Sequence, residues 1–152
     1  MYSLYGATLA LNYLVGKDQR KLARNSAVQN RYLALYKAEP SMDMTEESAT
    51  ALEPTANSYK RCKLSTWTDQ YEDSAFGDAI LTSSGTATEI SNNREITFNE
   101  AEENWGTCTH FAIYENQTGG KPLYIGALVT SISPVANSVP LIKVGQLKIT
   151  LA

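Results

Sequence analysis

The stretch "WGTCTHFAIYENQTGGKPLYIGALVTS", Trp105 to Ser131, decides the fold. Its first half, "TCTHFAIY", alternates with a period of two. Thr107, Thr109, Phe111 and Ile113 fall on one face, and Cys108, His110, Ala112 and Tyr114 on the other. Both faces are largely apolar, which predicts a central strand covered on both sides. "ENQTGGK" then breaks the pattern, with Gly119 and Gly120 supplying the freedom for positive φ. "PLYIGALVTSIS" returns as a second strand, and two strands joined by so short a loop are antiparallel neighbours. The stretch also carries the only histidine and one of the two cysteines. It is therefore either an active-site strand or a scaffold hairpin.

The same alternation recurs outward from this hairpin. In "RYLALYK" (31–37), Leu33 and Leu35 face one way and Tyr32, Ala34 and Tyr36 the other. In "SYKRCKLSTW" (58–67), Cys62 and Leu64 point inward while Arg61, Lys63 and Ser65 point out. Residues 79–98 read as short strands broken at Ser84-Gly85 and Asn92-Asn93, with Ile96 and Phe98 alternating. In "GQLKITLA" (145–152), Leu147, Ile149 and Leu151 share a face. Residues 38–57, marked by Pro40 and Pro54, read as a long acidic loop, and 68–78 and 99–106 as further acidic loops. At the N-terminus, Leu4, Ala7, Leu11, Leu14 and Val15 recur at helical spacing, with Ser3 placed to cap the start and Gly16 the end. That stripe must be covered, by the chain's own sheets or by a neighbouring subunit. The expected fold is mainly β: an antiparallel β-sandwich of jelly-roll type with eight or nine short strands, preceded by one amphipathic helix. Residues 1–31 form the helix and a basic arm, and 32–152 the β-sandwich domain.

A length of 152 residues suits one domain, which can bury a sizeable core without metal or disulfide. The two cysteines read as free, buried thiols. No run reaches the roughly 18 apolar residues of a membrane span. The N-terminal apolar run lacks a basic lead and is interrupted by Asn12 and Tyr13, so it is not read as a secretion signal. The net charge of −3 conceals an asymmetry, +5 over residues 1–37 and −8 over the rest. A basic arm of this kind suits an acidic protein surface. Nucleic acid is excluded as a partner because no aromatic interleaving or known motif accompanies the bases.

The candidates for chemistry fall short one by one. On a regular strand Cys108 and His110 share a face about 7 Å apart, too far for direct activation of the thiol. The acids Glu100, Glu102 and Glu103, and Asp69, Glu72, Asp73 and Asp78, do not follow a calcium-loop pattern. Tyr32, Tyr36, Tyr59, Tyr71 and Tyr114 lie in or beside strands, where packing is the usual role and carbohydrate contact the alternative. No phosphate loop, zinc spacing or dinucleotide fingerprint is present. The expectation is no enzyme, with no catalytic residue, cofactor or metal.

The strand Tyr32 to Tyr36 followed by Pro40, the "ITF" of Ile96 to Phe98, the block Trp105 to Tyr114, Gly119-Gly120 and Leu123 to Leu128 form a set. The set resembles small tailed-bacteriophage virion structural proteins, often labelled tail fibre proteins, over residues 28–152. The resemblance implies a virion component, assembled in the host cytoplasm, with no catalytic residues to transfer. It also implies that the opening stretch is a scaffold hairpin in which His110 and Trp105 serve packing and loop anchoring. Two roles follow. The favoured one is a capsid decoration, or cement, protein forming trimeric knobs on the shell. The alternative is a tail-fibre or adhesin module that binds host surface glycan. The expected partners are further copies of the chain, in a trimer, and the major capsid protein or tail proteins, with neither nucleic acid nor membrane. Docking is expected to use Leu4, Leu11, Leu14, Lys17, Arg20, Lys21 and Arg24.

Overall fold

The computed structural model describes residues 3–16, 30–41, 43–67, 72–74, 76–77, 79–82 and 84–151. The order of elements is α1 (Leu4–Leu14), β1 (Arg31–Tyr36), α2 (Glu46–Thr50), β2 (Cys62–Trp67), β3 (Glu72–Ser74), β4 (Ile80–Leu81), β5 (Thr88–Ser91), β6 (Ile96–Thr97), β7 (Cys108–Tyr114), β8 (Tyr124–Ile132), β9 (Leu141–Ile142) and β10 (Lys148–Leu151). Every strand pairing is antiparallel. A five-stranded sheet runs β3-β2-β1-β7-β8, a three-stranded one β10-β5-β4, and β6 pairs with β9. The fold is thus mainly β with one short helix before the sheets.

Alternation sorts the large sheet into two apolar faces. Leu33, Leu35, Leu64, Phe111 and Ile113 enter the main core, where they meet Ile90 and Ile149 of the three-stranded sheet and Ile96 and Ile142 of the pair β6–β9. The opposite face of β1 and β7 forms a second cluster of Ala34, Tyr36, Ala112 and Tyr114, covered by Ala49, Met44 and Leu52. The buried central strand predicted for "TCTHFAIY" is β7, and the predicted hairpin is β7–β8.

The helix is covered by its own chain. Ala7, Leu11 and Val15 are buried, and Leu11 and Val15 belong to the main core. Fully burying those two side chains contributes about 3–6 kcal/mol as an upper bound. Ser3 caps the start, accepting from the Gly6 N–H at 3.1 Å, and Gly16 turns the chain away at φ +74. Arg31 completes the other end. It is buried, donates to the carbonyls of Leu14, Tyr13 and Asn30 at 3.0 Å each, and lies 5.0 Å from the Tyr13 ring centroid. A cation on the terminal carbonyls satisfies acceptors that have no partner within the helix.

Three expectations are corrected. Residues 38–57 are not all loop: α2 lies within them, started by a capping box in which Thr45 and Ser48 bond reciprocally. Arg61 does not point to solvent; it precedes β2 and is buried with Glu53. Cys108 does not share the face of His110. The register with β8 shifts between those two residues, and Cys108 joins Phe111 and Ile113 in the main core.

Candidate functional site

A dense polar cluster lies where the segment after α2 meets the β7–β8 loop. Glu53 and Arg61 form a buried, two-pronged pair: Nε donates to Oε1 at 3.0 Å and Nη2 to Oε2 at 2.9 Å. Arg61 Nη1 donates to the carbonyls of Asn116 and Gly119 at 2.9 and 2.8 Å. The guanidinium carbon sits 3.5 Å from the centre of the Tyr114 ring. Four of its five N–H groups are thereby used, and its face is stacked.

Tyrosines extend the network into the sheet. The Tyr59 hydroxyl donates to Glu53 Oε1 at 2.7 Å and accepts from the Leu35 N–H at 3.1 Å. The hydroxyls of Tyr36 and Tyr114 hydrogen-bond each other. Burial pushes the phenols of Tyr36 and Tyr59 well above the ordinary tyrosine range and raises that of Tyr114, and the nearby Glu53 charge adds to this. Burial alone would lower the Arg61 value; the hydrogen bonds and charge of Glu53 overcome it and hold the guanidinium more firmly protonated. Around neutral pH the cluster therefore has protonated phenols, one fixed cation and one carboxylate neutralised by it. It can lock loops and offer hydrogen bonds, but it supplies no nucleophile.

The lock is reinforced from α2, where Glu46 Oε1 accepts from the Gly120 N–H at 2.8 Å. Gly119 and Gly120 both have positive φ, the backbone freedom the sequence required of them. Over the cluster opens a cleft of about 550 Å³. It is lined by Thr50, Glu53, Pro54, Thr55, Tyr59, Lys60, Arg61, Gln117, Thr118 and Gly119.

The residues singled out from sequence are scattered. His110 is half-buried, its Nδ1 2.9 Å from the Thr109 hydroxyl, and Cys108 lies on the other face. Burial pushes the thiols of Cys62 and Cys108 up to about 11, so neither is a thiolate at neutral pH. Glu103 pins a loop by accepting from the Asn57 N–H at 2.8 Å. Trp105 is buried, donates to the Ser58 hydroxyl at 3.0 Å, and meets Tyr59 and Phe98 edge to face. Of the expected docking residues, Leu4 is exposed, Leu11 is in the core and Leu14 is half-buried against it. Lys17, Arg20, Lys21 and Arg24 lie outside the described residues, as do Asp69, Tyr71 and Asp78. Among the described residues, no group of three His, Cys, Asp or Glu side chains is placed to hold a metal. Among them, too, no helix is long and apolar enough to cross a membrane.

The Glu53–Arg61 pair was missed because its members are eight residues apart, across a turn, and each alone resembles ordinary surface charge.

No curated protein matches the chain. A family model described as Podophage GP4 fiber I protein gp80 matches residues 3–150, from the cap of α1 to the next-to-last residue of β10. The match takes in the hairpin, strands of all three sheets and the loop cluster alike, and on that span the chain belongs to the podophage GP4 fiber I protein gp80 family of tailed-phage virion structural proteins.

Proposed function

We propose that the chain is a tail-fibre component, a compact module carried by the fibre rather than its shaft. The observation that carries this is the family match, which spans residues 3–150. The absence of sequence repeats and coiled-coil heptads fits a folded module better than a rod. The core between the large sheet and the smaller ones supports a sandwich reading of the fold.

In the same reading the chain acts as a homo-oligomer, a trimer, attached to other tail proteins. The outer face of α1 supports this. Tyr5, Leu9 and Tyr13 recur every four residues and are exposed, opposite the buried Ala7, Leu11 and Val15. A helix with apolar stripes on both faces is suited to a second contact. The basic run Lys17, Arg20, Lys21 and Arg24 follows directly in sequence and supplies charge for an acidic neighbour.

The runner-up is capsid decoration, favoured by that basic run and by the compact build. Copy number separates the two. Quantitative mass spectrometry of purified particles is expected to find the chain at a small fraction of the major capsid protein. Near-equal numbers would reject the fibre reading for the decoration one.

A further inference from the structure

We propose that the cleft over the Glu53–Arg61 pair is a saccharide-binding subsite; this rests on the fibre reading, which places the chain where host polysaccharide can reach it. Three features of the cleft carry the inference.

Its size comes first. About 550 Å³ lies within the usual range of small-ligand sites. The second feature is the floor. Glu53, Pro54 and Arg61 are buried, and the two ions are held by each other and by the Asn116 and Gly119 carbonyls. A ligand would meet side chains already ordered, so little is lost to reorganisation on binding.

The third feature is the rim. Thr55, Lys60, Gln117 and Thr118 line the opening, yet none hydrogen-bonds another described residue. Locking the loops explains Arg61 and Glu53, but it gives these four nothing to do. Together they offer hydroxyl, amide and ammonium groups, both donors and acceptors, which is what a polyol matches. Glu53 and Arg61 cancel, which leaves Lys60 as the one uncompensated charge among the described lining residues. An acidic substituent is thus accepted but not required.

A second cleft is less suited. It measures about 530 Å³ and lies between β8 and residues 141–146, lined by Leu128, Ile132, Leu141 and Ile142 among others. Its described lining residues hold no buried ion pair, and it borders the register shift of β8.

The test uses the full chain and an immobilised panel of bacterial polysaccharides, some neutral and some bearing uronic acid. The wild type is expected to bind at least one. The double variant Gln117→Ala/Thr118→Ala should weaken that binding roughly tenfold, the effect of two hydrogen bonds. Lys60→Ala should weaken only the uronic-acid arm, and Thr130→Ala, away from the cleft, should leave binding unchanged. These side chains are exposed and their removal spares the core, so circular dichroism should match the wild type. Failure of the wild type to bind any member of the panel, or equal binding by the double variant, overturns the proposal. The fibre reading is judged separately, by the copy number of the chain in particles, which neither binding result alters.

Discussion

The Arg31 guanidinium closes a helix that ended seventeen residues before it, with Nε 3.0 Å from the Leu14 carbonyl oxygen. The first strand of the large sheet thereby holds the helix that precedes it. Replacing Arg31 with Ala removes three charge-assisted hydrogen bonds from the carbonyls of Leu14, Tyr13 and Asn30, of which Tyr13 keeps the Gly16 N–H as a donor. Stability should fall by about 2–4 kcal/mol, read from urea midpoints. Arg31→Lys should recover less than half, because one ammonium cannot span carbonyls that a planar fork reaches. Full recovery by lysine would show that charge alone matters at the helix end.

Breaking the loop lock should have a larger and more local effect. Arg61→Ala leaves the Glu53 carboxylate buried and unpaired, at a cost of about 3–5 kcal/mol. The β7–β8 loop also loses the donors that hold its Asn116 and Gly119 carbonyls. Hydrogen exchange at the Gly120 amide, bonded to Glu46, should accelerate well before the core opens. A variant that keeps this amide protected would show that Glu46 alone holds the loop.

Gly126 should tolerate no side chain. It pairs across the hairpin with Phe111, and a Cβ there would sit 2.7 Å from Phe111 Cζ and 3.0 Å from Tyr124 Cε1. The Phe111 ring is fully buried, so any shift it makes disturbs the packing around it. Gly126→Ala is expected to destabilise by about 1–3 kcal/mol, by displacing the ring from the core. A thermal midpoint equal to that of the wild type would show that the hairpin backbone gives way freely.

Both thiols tie stability to alkaline pH. Their ordinary value is 9.0, and burial raises both to about 11. Below pH 9 neither state ionises them and their contribution is complete. Between about 9 and 11 the unfolded chain releases these protons while the folded chain keeps them, so stability falls as pH rises. The buried phenols act in the same direction at higher pH. Urea midpoints should therefore be flat from pH 7 to 8.5 and decline above 9, less steeply in a Cys62→Ala/Cys108→Ala variant.

Much of the scaffold was legible because alternation reports burial. Leu33, Leu35, Phe111 and Ile113 were assigned to one face by counting in twos, and that is the face turned to the main core. The helix limits followed from Ser3 and Gly16, whose roles are local. Long-range pairings were not legible. Nothing near Arg31 announces that it reaches back to Leu14, and nothing near Arg61 announces Glu53. The face of Cys108 was misplaced because a register shift changes parity without a mark in the residues themselves. α2 was missed because five residues are too few for a periodic stripe, although Thr45 and Ser48 carried its cap. The cleft escaped for the same reason as the ion pair: its walls come from two loops that approach only after folding.

The most direct test of the fibre assignment is immunogold labelling of intact particles with antibodies against this chain. Label confined to the tail, a few grains per particle and lost from particles whose fibres have been sheared off, is the result the assignment predicts. Label spread over the head at shell density would contradict it.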